Sequence, residues 1–150
     1  MDTEGQSPDA LRQRILGTWR MLAWKRKLVE SSQESDALGP DPFGYINYSP
    51  DGRLMVFVLR SGRLPPSSSP PTDAEKVALF DTMFAYVGTY AVEADRVVHM
   101  LDGSWNEHWT GTRQTRFLSF ENGNLIYTTP ETTDPMDGKL CTYKVTFGRA

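Results

Sequence analysis

Hydrophobic and polar positions alternate with a period of two along most of this chain, and only twice does the spacing change to that of a helix. Ser7-Pro8-Asp9 predicts a helix start, with serine as N-cap and proline at the first helical position. Leu11 and Ile15 share a face of that short helix, which ends at Gly17. In the next run Trp19, Met21 and Ala23 alternate with Arg20, Leu22 and Trp24, a strand pattern. Phe43 to Ser49 and Arg53 to Arg60 flank the turn signal Ser49-Pro50-Asp51-Gly52 and predict a hairpin. The Pro/Ser run from Ser61 to Pro71 cannot join a sheet. Thr72-Asp73-Ala74-Glu75 is a capping box opening a helix over 73–85, with Val77, Phe80 and Phe84 on one face. Strands are then expected at Tyr86 to Glu93, Arg96 to Asp102, Thr112 to Phe120, Leu125 to Thr129 and Lys139 to Phe147. An Asn122-Gly123 hairpin turn and the turn Asp134 to Gly138 separate the last three.

Eight strands joined mostly by short turns, without intervening helices, exclude a parallel sheet. The simplest closure is an all-β, eight-stranded antiparallel up-and-down barrel, which leaves no exposed edge. Such a barrel encloses just enough space for side chains or one small ligand. Its 150 residues fit a single domain, with residues 1–6 expected to be flexible. A net charge of −3 without a basic patch argues against nucleic acid or anionic membrane as partner. No apolar run is long enough to span a bilayer. The acidic, polar start MDTEGQSPDA does not read as a secretory signal. The single cysteine, Cys141, lies in a strand-like run; it reads as a small core residue and suits a reducing, cytoplasmic setting.

Gly17-Thr18-Trp19 is similar to the Gly-x-Trp signature of lipocalins and their calycin relatives. The block from Leu38 to Arg53 (LGPDPFGYINYSPDGR) resembles the bacterial and fungal lipocalin-like domain family. Tyr86-Val87-Gly88-Thr89-Tyr90 resembles it too, as do His99, Asn106, Trp109, Gly111-Thr112 and Arg116; the resemblance runs from about Leu16 to Phe147. It implies a calycin-type barrel. Relatives of this barrel type in natural-product pathways act as cofactor-free cyclases, isomerases or dehydratases, an implication at the level of fold alone.

His99 stands mid-strand in Val97-Val98-His99-Met100-Leu101. It is either a satisfied core histidine or, in a ligand cavity, a proton donor and acceptor near neutrality. Arg116 is mid-strand and must be paired or stacked if buried. Two roles suit it: the cation covering Trp19, or an anchor for an enolate, phenolate or carboxylate. In Gly103 to Thr112 (GSWNEHWTGT) two tryptophans crowd a connection, where they either plug the barrel or line its mouth. Asn106 and Trp109 are expected at that mouth, Glu107 in water, and His108 on either side. Tyr45, Tyr48, Phe57 and Tyr90 complete the expected wall, a mixture of apolar surface and phenolic hydroxyls suited to an aromatic ligand.

Two histidines and one cysteine without close spacing give no zinc site. No glycine-rich phosphate loop precedes a helix, and no nucleophile elbow is present. Haem bound through His99 is conceivable, but no other residue asks for it, so no cofactor is expected. The leading expectation is a cofactor-independent isomerase, cyclase or dehydratase with His99 as acid or base and Arg116 as anion stabiliser. The alternative is a carrier of a small hydrophobic or aromatic metabolite. A homodimer is compatible with either.

Overall fold

The computed structural model describes residues 7–150; the expected flexible segment 1–6 lies outside the described residues. Helix α1 (Pro8–Ile15) begins as the sequence requires: the Ser7 hydroxyl accepts from the Ala10 amide at 3.1 Å, and Leu11 and Ile15 are fully buried. Ten strands follow: β1 (Gly17–Leu28), β2 (Glu34–Asp36), β3 (Phe43–Tyr48), β4 (Arg53–Leu59), β5 (Met83–Val92), β6 (Arg96–Ser104), β7 (Arg113–Glu121), β8 (Asn124–Thr128), β9 (Thr132–Thr133) and β10 (Leu140–Arg149). Eight of them run β1-β3-β4-β5-β6-β7-β8-β10 as antiparallel neighbours, and β10 pairs back onto β1 from Trp19↔Arg149 to Leu28↔Cys141. The barrel is closed. The short β2 and β9 extend it at one end by pairing with β1 and β10.

The two ends differ. At one, α1 seals the barrel: Trp19 Nε1 donates to the Ile15 carbonyl at 2.9 Å, and Arg149 donates to the carbonyls of Leu16 and Arg14 at 2.5 and 2.6 Å. The Arg149 guanidinium also stacks over the Trp19 ring, 3.8 Å from its centroid. The other end, where β1 leaves its pairing with β3 and where β4, β5 and β6 meet loops, stays open and forms the mouth.

Three sequence expectations change here. A bulge between Met21 and Ala23 inserts one extra residue in β1, so Trp24, expected opposite Trp19, turns into the core at 8% exposure. Helix α2 is shorter than 73–85 and spans Asp73–Asp81, with its capping box formed as expected. Phe84 belongs to β5 and is buried there, while Val77 and Phe80 remain exposed, with Phe80 meeting the Trp105 ring at 6.4 Å. The cation over Trp19 is Arg149, not Arg116. Arg149 is the last residue of β10, which closes the barrel against β1, whereas Arg116 lies mid-strand in β7.

Candidate functional site

The mouth holds a cavity of about 330 Å³. Trp24, Leu38, Met83, Phe84, Trp105 and Tyr143 give it apolar walls, and Arg26, Arg60, Asp81, Asp134 and Asp137 bring charge to its rim. Its aromatic wall is tightly joined: the Phe84 ring lies 4.9 Å from Trp24 and 4.5 Å from Trp105. Among the described residues neither the buried Trp24 Nε1 nor the buried Trp105 Nε1 has a hydrogen-bond partner. On the rim, Arg26 donates to Asp134 at 3.0 Å and to Asp137 at 2.7 Å, and the Tyr143 hydroxyl donates to Asp134 at 2.6 Å. Burial works against the Arg26 charge, but the two carboxylates outweigh it and hold its pKa above the ordinary value. Burial and the Asp134 carboxylate push the Tyr143 phenol far up. This end of the wall is therefore fixed and stays protonated at tyrosine.

Trp24, Phe84 and Tyr143 also line a second, inner chamber of about 30 Å³, so the two spaces adjoin. That volume holds one or two waters, or one oxygen-bearing end of a larger molecule. Arg116, Tyr86, Tyr127 and Trp109 face it amid aliphatic side chains of β1, β3, β4 and β10. Arg116 is 7% exposed, and no acidic side chain among the described residues forms an ion pair with it. Nη1 donates to the Thr115 carbonyl at 3.3 Å, and Arg116 shares the chamber wall with Tyr86. A buried guanidinium without a carboxylate is costly, by several kcal/mol in real proteins, unless something else meets its charge.

Behind the chamber, His99 is fully buried and held from both sides. Tyr86 Oη lies 2.6 Å from Nδ1 and Tyr48 Oη 2.7 Å from Nε2, and Tyr48 in turn shares a hydrogen bond with the Tyr127 hydroxyl. Burial, and then the Arg116 charge, hold the imidazole pKa well below its ordinary value, so His99 is neutral at pH 7. Burial likewise drives Tyr48 and Tyr127 well up and Tyr86 up, with Arg116 pulling each part of the way back. The group contains one fixed cation, one neutral imidazole and three neutral phenols.

The structure sorts the residues expected at the site. His99, Arg116, Tyr48, Tyr90 and Trp109 point inward and are buried, and of these Arg116 and Trp109 line the inner chamber. Tyr48 and His99 sit one layer behind it. Tyr90 lies toward the sealed end, its hydroxyl donating to the Ser49 carbonyl at 2.6 Å under the Arg12 guanidinium, and faces neither space. Tyr45 and Phe57 are on the outer surface, at 38% and 51% exposure, as a cross-strand pair. Gly44, Ile46 and Tyr48 take the inner face of β3, and Tyr45, three residues from Tyr48, must face the other way. In the connection after β6 the two readings divide by residue. A single turn of 3-10 helix (Glu107–Trp109) drops Trp109 into the barrel at 5% exposure, and Trp105 stays half-buried at the mouth. Asn106 lines neither space: its Oδ1 accepts from the His108 amide at 3.1 Å and caps that turn. His108 is exposed on the outside, away from both spaces. Sequence reasoning missed Trp24, Phe84, Tyr127 and Tyr143. The alternation Leu125, Tyr127 and Cys141, Tyr143, Val145, Phe147 carried the signal for the two tyrosines.

A closed antiparallel barrel with one sealed end, one aromatic mouth and a small, largely apolar chamber beneath it has the architecture of a small-molecule-binding barrel. The chain belongs to the lipocalin-like domain family, which it matches over residues 16–147. Among solved structures it is similar to a lipocalin-like protein from Bacteroides uniformis ATCC 8492, at 11% identity over 91% of this chain and 99% of that one, with a TM-score of 0.48. No curated protein matches it. No helix among the described residues is long and apolar enough to cross a membrane, and no cluster of three or more His, Cys, Asp or Glu there could hold a metal ion.

Proposed function

We propose that the barrel takes up a small aromatic or largely apolar metabolite bearing an oxyanion or carbonyl, and acts on it as a cofactor-independent enzyme of the isomerase, cyclase or dehydratase type. The ring system sits in the mouth among Trp24, Phe84 and Trp105, and the oxygen-bearing end enters the inner chamber. The observation that carries this reading is Arg116: buried, without an acidic partner, and facing a space large enough for one polar group. A ligand oxygen there completes a charge-assisted contact that the protein leaves unmade. Developing negative charge on an enolate or phenolate would meet the same guanidinium, which is the electrostatic half of such a reaction. A setting in a reducing, cytoplasmic compartment suits the free, buried thiol of Cys141.

A carrier is the second reading. It is favoured by the position of His99, which lines neither space, and by an inner chamber of only about 30 Å³, which admits an end of a ligand and not its body. Titration with a panel of aromatic carboxylates and phenols, followed by tryptophan fluorescence, tests binding; NMR of the recovered ligand tests conversion. Arg116→Gln should weaken an anionic ligand by about ten- to a hundred-fold, the worth of one charge-assisted hydrogen bond. Equal affinity of wild type and variant for every anionic ligand would refute the assignment of Arg116. Tight binding with every ligand returned unchanged would favour the carrier.

A further inference from the structure

One hydrogen-bonded chain has both of its end residues in the wall of the inner chamber. Tyr86 and Tyr127 each line it, and between them run His99 and Tyr48, which do not. We infer that the chain Tyr86–His99–Tyr48–Tyr127 is a proton relay that returns to the space it leaves, built to take a proton from one atom of a bound enol or carbonyl compound and deliver one to another. The reaction it fits is a proton-shift isomerisation of a conjugated oxygen compound. This rests on the ligand-binding reading above and narrows it to one reaction class.

The direction follows from counting protons. Arg116 shares the chamber wall with Tyr86, and its positive charge turns the Tyr86 proton away from the chamber toward His99 Nδ1. A neutral imidazole that accepts at Nδ1 carries its proton on Nε2 and donates it to Tyr48. Tyr48, already accepting, has its own proton left for Tyr127. Tyr127 then has one proton without a protein acceptor among the described residues, at the wall of the chamber. The opposite direction would aim the Tyr86 hydroxyl proton at the guanidinium, which repels it.

The step balances without a co-reactant. The ligand gives a proton to Tyr86 Oη, the Tyr86 proton passes to His99 Nδ1, the Nε2 proton passes to Tyr48, and the Tyr48 proton passes to Tyr127. The Tyr127 proton goes to a second atom of the ligand, whose double bonds shift between the two sites. The protein ends with the same charges and His99 with its proton on Nδ1; after product leaves, water in the chamber takes the proton from Tyr86 and gives one to Tyr127, and the reverse shift along the chain restores the start. Arg116 steadies the negative charge that develops on the ligand or on Tyr86 while the protons are in motion. Tyr86 and Tyr127 touch the ligand; His99 and Tyr48 act through them as positioning residues.

Two measurements test this. In the ligand-free protein, nitrogen-15 NMR at pH 7 should find the His99 proton on Nε2; a proton on Nδ1, or a doubly protonated ring, overturns the relay's direction whatever the ligand. The second uses the enol of phenylpyruvate, an aromatic body with a carboxylate and an enol, whose ketonisation is followed by ultraviolet absorbance. Wild type should accelerate it, with a solvent isotope effect whose dependence on deuterium content is curved, the mark of several protons in flight. Tyr127→Phe and Tyr48→Phe should each lower the rate by at least about a hundred-fold, while Tyr45→Phe, on the outer face, leaves it unchanged. Full rate in Tyr48→Phe, or no acceleration by wild type, overturns the relay. If phenylpyruvate still quenches tryptophan fluorescence in that last case, the binding reading survives and the relay alone falls.

Discussion

Replacing His99 by glutamine should remove a specific part of the protein's acid sensitivity. His99 has no exposed surface, its two nitrogens are occupied by Tyr86 and Tyr48, and the only charge among its described neighbours is the like charge of Arg116. Its pKa in the folded chain is therefore depressed, whereas in the unfolded chain it titrates near the ordinary value of about 6.5. As pH falls through that value the unfolded state takes up a proton that the folded state refuses, so stability present above it is lost below it. Between about pH 7 and about pH 5.5 this linkage costs about 1.3 kcal/mol, and it continues at about 1.4 kcal/mol per further pH unit until the folded imidazole itself titrates. Glutamine can still hydrogen-bond to both tyrosines and has no proton equilibrium in this range. Urea unfolding of wild type and His99→Gln at the two pH values gives the cost as a difference of differences, from which His108 and the carboxylates cancel. Equal pH slopes in the two proteins would refute a neutral, desolvated His99, and with it the relay.

Three further perturbations probe the frame of the site. Trp109→Ala removes a buried ring that touches Phe84, Tyr86 and Trp105, and should cost about 3–5 kcal/mol by urea unfolding. Gly88→Ala should destabilise by at least about 2 kcal/mol in the same assay, because a Cβ there falls on the Met100 carbonyl of the neighbouring strand and neither backbone can yield. Arg149→Ala uncovers Trp19 and frees the Leu16 and Arg14 carbonyls, and should lower stability by about 1–2 kcal/mol in thermal unfolding without changing ligand affinity.

Most of the frame was legible in the chain because a half-buried strand writes its two faces into alternate residues. β4 is the clear case: Leu54, Val56 and Val58 are buried while Met55 and Phe57 are exposed. The site was less legible, for two reasons. Exposed and buried aromatics look alike in sequence, so Phe57 and Tyr45 entered the expected wall although the inward positions were the smaller Val56 and Ile46. Parity is also broken without warning by a bulge. Between Met21 and Ala23 one extra residue turns Trp24 inward, and that ring then lines both spaces. That Arg149 and not the expected Arg116 covers Trp19 depends on which strand closes the barrel against β1, a long-range pairing that no local pattern encodes. His99 was visible as a histidine among hydrophobic neighbours. Its place behind Tyr86 and Tyr127 was not, because it depends on the register of four strands.

The four indole N–H signals of the protein report directly on the proposed entry of ligand at the mouth and on the contact of its polar end with Arg116. Trp24 and Trp105 line the mouth and Trp109 the inner chamber, while Trp19 lies at the sealed end with its N–H bound to Ile15. Proton–nitrogen NMR during titration with phenylpyruvate should shift the Trp24, Trp105 and Trp109 indole signals together, leave Trp19 in place, and lose most of its effect in Arg116→Gln. Shifts confined to Trp19, or no indole shift at saturating phenylpyruvate, would contradict the account.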